Sequence, residues 1–391
     1  MKLRIRVILT LVLALLLSGC QKRAEPVQPE MTEPTVTYDW MAGESPVSDE
    51  RVGVFRSSVT ATHHAVSPRG AYFIGANELR DSYILYVDHG SDQVIKLCGR
   101  VDCTHTTSDC NAYFYRGTHL SYYDGYLYVV AGDVERYMYR MDSDGSNRVT
   151  IMDFQEVARE HGGEFIGSVT ISKGICLLRV CKHVLEDGRY VQEWVKTLIY
   201  KLDGSLGDPQ PVEIGASVLY HCGDVFCAVS AAAEDGSENT YDWNPETGEL
   251  KYLTKYPGVP GYFGEQNAYY FRDGAMYCLN YATGEETAVF ETDLEGRYYA
   301  FCFSDCIVLA SWKYGKNTDN TLYFYNWEFE LVGTIVIPNE RLQSPQSMLI
   351  SETAERIILS NKGDGPPLYY IDKSELGTEE LRIHHFDLPE L

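Results

Sequence analysis

Three cysteines and a histidine fall within one short stretch: Cys98, Cys103, His105 and Cys110. Three thiolates and an imidazole are the donor set of a closed tetrahedral zinc site, and the spacing Cys-x4-Cys-x-His-x4-Cys lets short loops wrap one ion. Such a site is structural, because four protein ligands leave no position open for water or substrate. Two other outcomes suit the same residues. Oxidising surroundings would favour a disulfide with one spare thiol, and the thiols could also stay reduced and inert. The odd cysteine count argues for metal over a disulfide.

A second reactive cysteine stands near the start of the chain. Lys2, Arg4 and Arg6 precede the apolar run from Val7 to Leu17, and Leu17-Ser18-Gly19-Cys20 follows. The run is too short to span a bilayer about 30 Å thick, so it reads as a cleaved export signal covering residues 1–19. A leucine and two small residues before a cysteine form a lipobox, in which the Cys20 thiol receives a diacylglyceryl group. Fatty acyl chains such as palmitate then hold the chain to the bilayer, each buried methylene contributing about 0.8 kcal/mol. This places the chain on the cell membrane, lipid-anchored and extracytoplasmic, as at a Gram-positive cell surface.

The elements that must carry these groups are visible in composition and repeat. Residues 20–51, with Pro26, Pro29, Pro34 and Pro46, show no apolar period and read as a disordered tether. Residues 52–391 repeat a quartet: Tyr139-Arg140-Met141-Asp142, Tyr200-Lys201-Leu202-Asp203, Tyr241-Asp242-Trp243-Asn244, Tyr277-Cys278-Leu279-Asn280, Tyr323-Phe324-Tyr325-Asn326 and Tyr369-Tyr370-Ile371-Asp372. Leu85-Tyr86-Val87-Asp88 is an imperfect further copy, and the period is about 47 residues. Each copy is a strand ending in a residue that opens a turn. Hairpins such as Tyr123-Asp124-Gly125-Tyr126 lie upstream. Four short antiparallel strands therefore recur, and one such sheet alone exposes both faces. Closing the copies into a ring buries them, which predicts an all-β, seven-bladed β-propeller, with six or eight blades as the alternatives.

The repeat, the lipobox and the segment from Leu97 through Cys98, Cys103, His105 and Cys110 to Phe114 resemble a group of surface lipoproteins of gut clostridia. These are similar to the β-propeller of low-density-lipoprotein-receptor-related proteins. The likeness covers nearly the whole mature chain, and the cysteine segment is its most specific part; it departs at Val101, where proline is expected. What the resemblance implies is fold and location.

A formal charge of −23 repels phosphate backbones and argues against nucleic acid. No Gly-x-Ser-x-Gly, His-Glu-x-x-His, Walker or Gly-x-Gly-x-x-Gly motif is present. Asp142-Ser143-Asp144-Gly145-Ser146-Asn147 has its glycine too early for a calcium loop and reads as a hairpin turn. His63-His64 and His384-His385 would approach one another if the termini close the ring. Cys222 with Cys227, and Cys302 with Cys306, read as free buried thiols flanking turns. The longest departures from the repeat, residues 155–164, 181–196, 255–264 and 338–346, read as surface loops carrying His183, Arg189, Tyr190, Trp194 and Tyr262. The expectation is a binding or interaction module whose partner, besides the lipid bilayer, is a peptide, a glycan or an envelope protein. The alternative is a propeller lyase or hydrolase acting at the channel mouth.

Overall fold

Tyrosine, valine, leucine and isoleucine alternating with polar residues suit a pleated, half-buried surface, and the computed structural model is nearly all β. It describes residues 64–389 other than 77–80, 99, 101, 106–108, 133–135, 173, 187–188, 213–217, 223–224, 230–237, 246, 257–261, 265, 296–297, 312–318, 338–348 and 360–368. The export signal, Cys20, the tether and His63 lie outside the described residues, as does the segment 338–346. No side chain is described for Cys222 or Cys227.

The described strands pair into seven separate antiparallel sheets, each built from consecutive strands. The first holds β1 (His64–Ser67), β2 (Gly70–Ala76), β3 (Asp81–Asp88) and β4 (Ile95–Lys96), with β5 (Tyr113–Tyr115) also paired to β3. The second holds β6 (Gly117–Tyr123), β7 (Tyr126–Ala131), β8 (Tyr137–Asp142) and β9 (Val149–Asp153); the third holds β10 (Phe165–Ser172), β11 (Ile175–Glu186), β12 (Arg189–Lys201) and β13 (Gln210–Val212). Sheets four to seven repeat the order over 218–256, 262–291, 298–336 and 349–385.

Local chemistry sets these strands. In the β6–β7 hairpin Tyr123 pairs with Tyr126 across Asp124 and Gly125, whose φ angles of +49° and +84° are both left-handed. An Asp-Gly pair supplies that geometry at least cost, and its twist matches the strands. Every copy of the repeated quartet lies on the third strand of its sheet, and the closing Asp or Asn opens the next turn. Asp203 Oδ1 accepts from Ser205 N at 2.8 Å, Asn280 Oδ1 from Ala282 N at 2.9 Å and Asp372 Oδ1 from Ser374 N at 2.9 Å.

Packing links neighbouring sheets, and the last sheet returns to the first. Tyr72, Ile74 and Ile84 of the first sheet pack with Leu127, Val129 and Met141 of the second, and Val130 and Met138 pack with Leu178, Val180 and Leu198 of the third. Trp243 of the fourth sheet meets Leu177 and Ile199, and the fifth, sixth and seventh sheets pack in sequence. Ile358, Tyr370 and Phe386 of the seventh return to Phe73, Leu85 and Val87 of the first. Arg356 locks that junction: its Nη2 lies 2.9 Å from Asp92 Oδ1, its Nη1 donates to Ser91 O, and its guanidinium stacks 4.0 Å from the Tyr370 ring. Successive four-stranded antiparallel sheets packed on one another, with the last against the first, make a β-propeller.

Two of the segments read as surface loops are regular instead. Residues 154–160 form helix α1 (Phe154–Glu160), capped by Asp153 Oδ1 accepting from Gln155 N at 2.9 Å and burying Phe154, Val157 and Ala158. Residues 181–196 extend β11 and β12 into a two-stranded ribbon, with Cys181 paired to Trp194 and Glu186 to Arg189. Tyr262, expected on the surface, is buried.

Candidate functional site

The cysteine loop is pinned at its two ends to one residue. Ile84 O accepts from Leu97 N at 2.8 Å, and Ile84 N donates to Ala112 O at 2.9 Å. Chain leaving β4 thus returns to the same strand, β3, as β5, and the segment between must fold on itself. Inside it the ligand atoms of Cys98, Cys103, His105 and Cys110 all lie within 4.8 Å of one another. It is the one cluster of three or more His, Cys, Asp or Glu ligands among the described residues. His105 sits at φ +56°, a left-handed conformation that costs a non-glycine residue about 1 kcal/mol. That turn brings His105 Nδ1 to 3.4 Å from Cys110 Sγ, close to the ligand separation of about 3.6 Å that tetrahedral Zn–N and Zn–S bonds impose.

Backbone amides support the sulfurs. His105 N donates to Cys103 Sγ at 3.4 Å. Burial pushes the Cys98 thiol up, but hydrogen bonds from the Arg100 and Asn111 amides and from the Cys103 and Cys110 thiols outweigh it, leaving Cys98 below its usual value. Burial pushes Cys110 up to about 12, against a bond from the Ala112 amide. The amide two residues beyond each cysteine therefore points at its sulfur, an arrangement that compensates thiolate charge. All three cysteines carry free thiols. This cluster can hold a metal ion. The second sheet presses on it from outside: Arg148 Nη1 donates to Cys110 O at 3.2 Å and Tyr113 O at 2.6 Å, and its guanidinium lies over Phe114. Gly145, at φ +84°, passes so close that a Cβ there would meet Leu97 O at 2.6 Å.

The other sequence candidates go elsewhere. His64 is buried on β1, whereas His384 Nε2 lies 2.8 Å from Glu375 Oε1 and its ring stacks on Tyr370. Asp142 Oδ2 accepts from Asn147 Nδ2 at 2.7 Å and from Ser146 Oγ at 3.3 Å, closing a hairpin turn on itself. Cys302 and Cys306 are buried and carry reduced thiols. One contact outside those candidates has the composition of a hydrolytic dyad: Lys373 Nζ donates to Ser304 Oγ at 2.8 Å. Burial lowers the Lys373 pKa, but Glu352 and Asp305 reverse this and hold it above its ordinary value, and Ser304 Oγ itself donates to Glu352 Oε2 at 2.7 Å.

Where the ribbon leaves the third sheet, a cleft of about 570 Å³ opens against the second. Phe154, Phe165 and Ile166 give it an apolar lining, and Arg136, Gln155, Glu164 and His183 give it polar ends. Hydrogen bonds from the His183 ring and amide hold the Glu164 carboxyl below its usual range. Sequence reading placed His183, Tyr190 and Trp194 in a loop and did not see that strand register gathers them on one face.

No protein-family profile matches the chain, and no curated protein matches it by sequence. Solved structures do. A puromycin-hydrolysing peptidase from Mycobacterium tuberculosis is 10% identical with a TM-score of 0.51, the match covering 88% of this chain and 58% of the peptidase. The β-propeller domain of the Trilobed protease from Pyrococcus furiosus, described as having an open velcro topology, is 14% identical over 70% of this chain and 83% of that domain, with a TM-score of 0.42. BamB from Moraxella catarrhalis is 10% identical over 76% of this chain and 80% of its own, with a TM-score of 0.35. At these identities the likeness concerns the fold alone. The chain spans little more than half of the peptidase, and nothing of that protein's activity transfers with the fold.

Proposed function

We propose that this chain is a seven-bladed β-propeller moored through lipid on Cys20 to the extracytoplasmic face of the cell membrane, where it works as an interaction module. The observation that carries the binding role is the ribbon of β11 and β12, which holds Leu185, Tyr190 and Trp194 in solvent at 64, 78 and 42% exposure. Large apolar side chains gathered on one projecting element mark a contact surface. The lipobox and the resemblance to clostridial surface lipoproteins support the anchor. Cys98, Cys103, His105 and Cys110 hold a structural zinc that fixes the connection between the first two sheets; four protein ligands leave it no catalytic position.

The test is a screen of the full chain in detergent micelles against envelope extracts, peptides and glycans, alongside a variant lacking the ribbon aromatics, Tyr190→Ser with Trp194→Ser. Binding that the variant loses supports the module; a chain that binds nothing but turns over an ester or glycosidic substrate refutes it. Labelled palmitate should enter the wild-type chain in cells and not Cys20→Ser.

A further inference from the structure

We infer that the cleft between the second and third sheets binds a short apolar peptide with free termini, its ammonium held by Glu164 and its carboxylate by Arg136. This rests on the interaction-module reading and names the ligand's class and place. The first observation is a gradient of burial across the lining. Phe154 and Ile166 at the bottom are 1% and 3% exposed, Phe165 is half-buried, and Arg136, Gln155, Glu164 and His183 stand exposed at the rim. At about 570 Å³ the space suits a compact ligand, and its carbon floor favours an apolar body. A sugar chain or a phosphate would lose hydration there without enough polar partners to replace it.

The second observation is the arrangement of charge, whose two signs stand on opposite walls. Arg136 comes from the second sheet, where its carbonyl accepts from Phe154 N at 2.8 Å, and Glu164 comes from the third, where its N–H donates to Cys181 O at 2.8 Å. The Glu164 carboxylate is held in place: His183 N donates to Oε2 at 3.2 Å, His183 Nδ1 lies 2.9 Å from the same oxygen, and the His183 ring stacks on Phe165 at 4.7 Å. Its Oε1 makes no hydrogen bond among the described residues. The Arg136 guanidinium lies 4.9 Å from the Tyr137 ring and makes one contact of 3.4 Å, from Nη2 to Asp153 Oδ2. Its Nε and Nη1 have no hydrogen-bond partner among the described residues. Each wall thus offers a charged group of one sign with bonding capacity to spare. A fatty acid would satisfy Arg136 alone, and an organic amine Glu164 alone. A free amino acid carries both charges on one carbon, whereas a peptide with free termini parts them by an apolar stretch that can lie on the floor.

The experiment is calorimetric titration of the full chain in maltoside micelles with Leu-Phe, Leu-Ala-Phe and Leu-Ala-Ala-Phe. Each is used with free termini, acetylated, amidated, or capped at both ends, and phenylalanine and hexanoate are titrated beside them. At least one free peptide should bind tenfold tighter than its acetylated and its amidated form. Glu164→Gln should weaken that peptide at least tenfold and leave its acetylated form, which has no ammonium, unchanged. Arg136→Gln should weaken the free peptide equally and leave the amidated form, which has no carboxylate, unchanged. Both side chains are exposed, so melting temperatures should hold. Equal binding of the doubly capped peptide, loss of every form alike in both variants, or binding of hexanoate or phenylalanine alone would overturn the inference. If no peptide binds while the envelope screen still yields a partner that Tyr190→Ser with Trp194→Ser loses, the cleft assignment falls and the interaction module stands; if the chain binds nothing in either experiment, both fall.

Discussion

Arg356 closes the ring, and its removal tests that closure quantitatively. The side chain is buried, with 8% of its surface exposed, while its partner Asp92 is 51% exposed. Water therefore screens the ion pair, which is worth at most about 1 kcal/mol. A charged donor to a main-chain carbonyl, here Ser91 O, adds about 1.5–2 kcal/mol, and a partly desolvated guanidinium over Tyr370 about 1 kcal/mol. Against this, Arg356 Nε is buried without a hydrogen-bond partner, and its removal returns about 1 kcal/mol. Asp92 is not stranded in the variant, because Tyr370 donates to it at 2.6 Å. Arg356→Ala should thus cost about 3 kcal/mol. At about 2 °C per kcal/mol for a chain of this size, the melting temperature should fall roughly 6 °C by calorimetry. Amide protection should drop in β2, β3, Arg356–Leu359 and Tyr369–Asp372 before the fourth and fifth sheets. Arg272→Ala is the control, an exposed arginine paired with Glu286 at 2.6 Å on the fifth sheet. An equal shift in the two variants, or protection lost evenly around the ring, would refute the reasoning.

Mass spectrometry of chain purified under reducing conditions should show about one zinc per molecule. Cys110→Ser should lose it and lower the melting temperature, and a metal-free wild type with rapidly alkylated thiols would eliminate the site. Gly145→Ala should cost about 2 kcal/mol in chemical denaturation, since its φ of +84° disfavours any side chain and a Cβ would press on Leu97 O. In alkali, burial pushes the phenols of Tyr128, Tyr299, Tyr323 and Tyr370 up to about 12. The folded state then holds protons that the unfolded chain releases above about 10, so stability must fall as pH rises from 10 to 12. Circular dichroism and tyrosinate absorbance should change together in that window, and tyrosinate forming near pH 10 in folded chain would contradict it.

What was legible in the sequence, and what was not, divides by the range of the interaction. The quartets ending in Asp142, Asp203 or Asn280 could be read because a tyrosine-rich strand and its Asx turn are local. Cys98, Cys103, His105 and Cys110 could be read because ligand type and spacing carry the signal. Helix α1 had a local signature as well, with Asp153 at its N-cap and Glu156 three residues on, but its short length hid it. The ribbon escaped because alternation reports burial on one face, and residues 182–186 and 189–193 bury neither face. Arg148 and Arg356 were invisible, for each acts on residues that only the closed ring brings near.

These two arginines bear on how the ring holds. Each sheet is built from consecutive strands, so β1 stays with β2, and the last strand, His384–His385, stays with Tyr369–Asp372. Among the described residues no strand from one end of the chain completes the sheet at the other; two main-chain hydrogen bonds, Val94 N to Asp387 O at 3.0 Å and Asp387 N to Asp92 O at 2.9 Å, join the first and seventh sheets together with side chains. On that flank stand Arg356, Asp92 and Tyr370, with Gln93 bridged to Asp387. On the other flank stands the cysteine loop between β4 and β5, with Arg148 of the second sheet against it. β1 is the first strand among the described residues, so under the proposed anchor at Cys20 a pull on the N-terminal side would reach the first sheet before the others. A metal closing the cysteine loop would harden the one sheet that carries both that load and the seam. Metal removal should therefore lower the force at which an anchored chain begins to unfold more than it lowers the melting temperature, and single-molecule pulling from the N-terminus would show it. Equal losses in force and in heat would mean the loop stabilises the ring as a whole and not its mooring point.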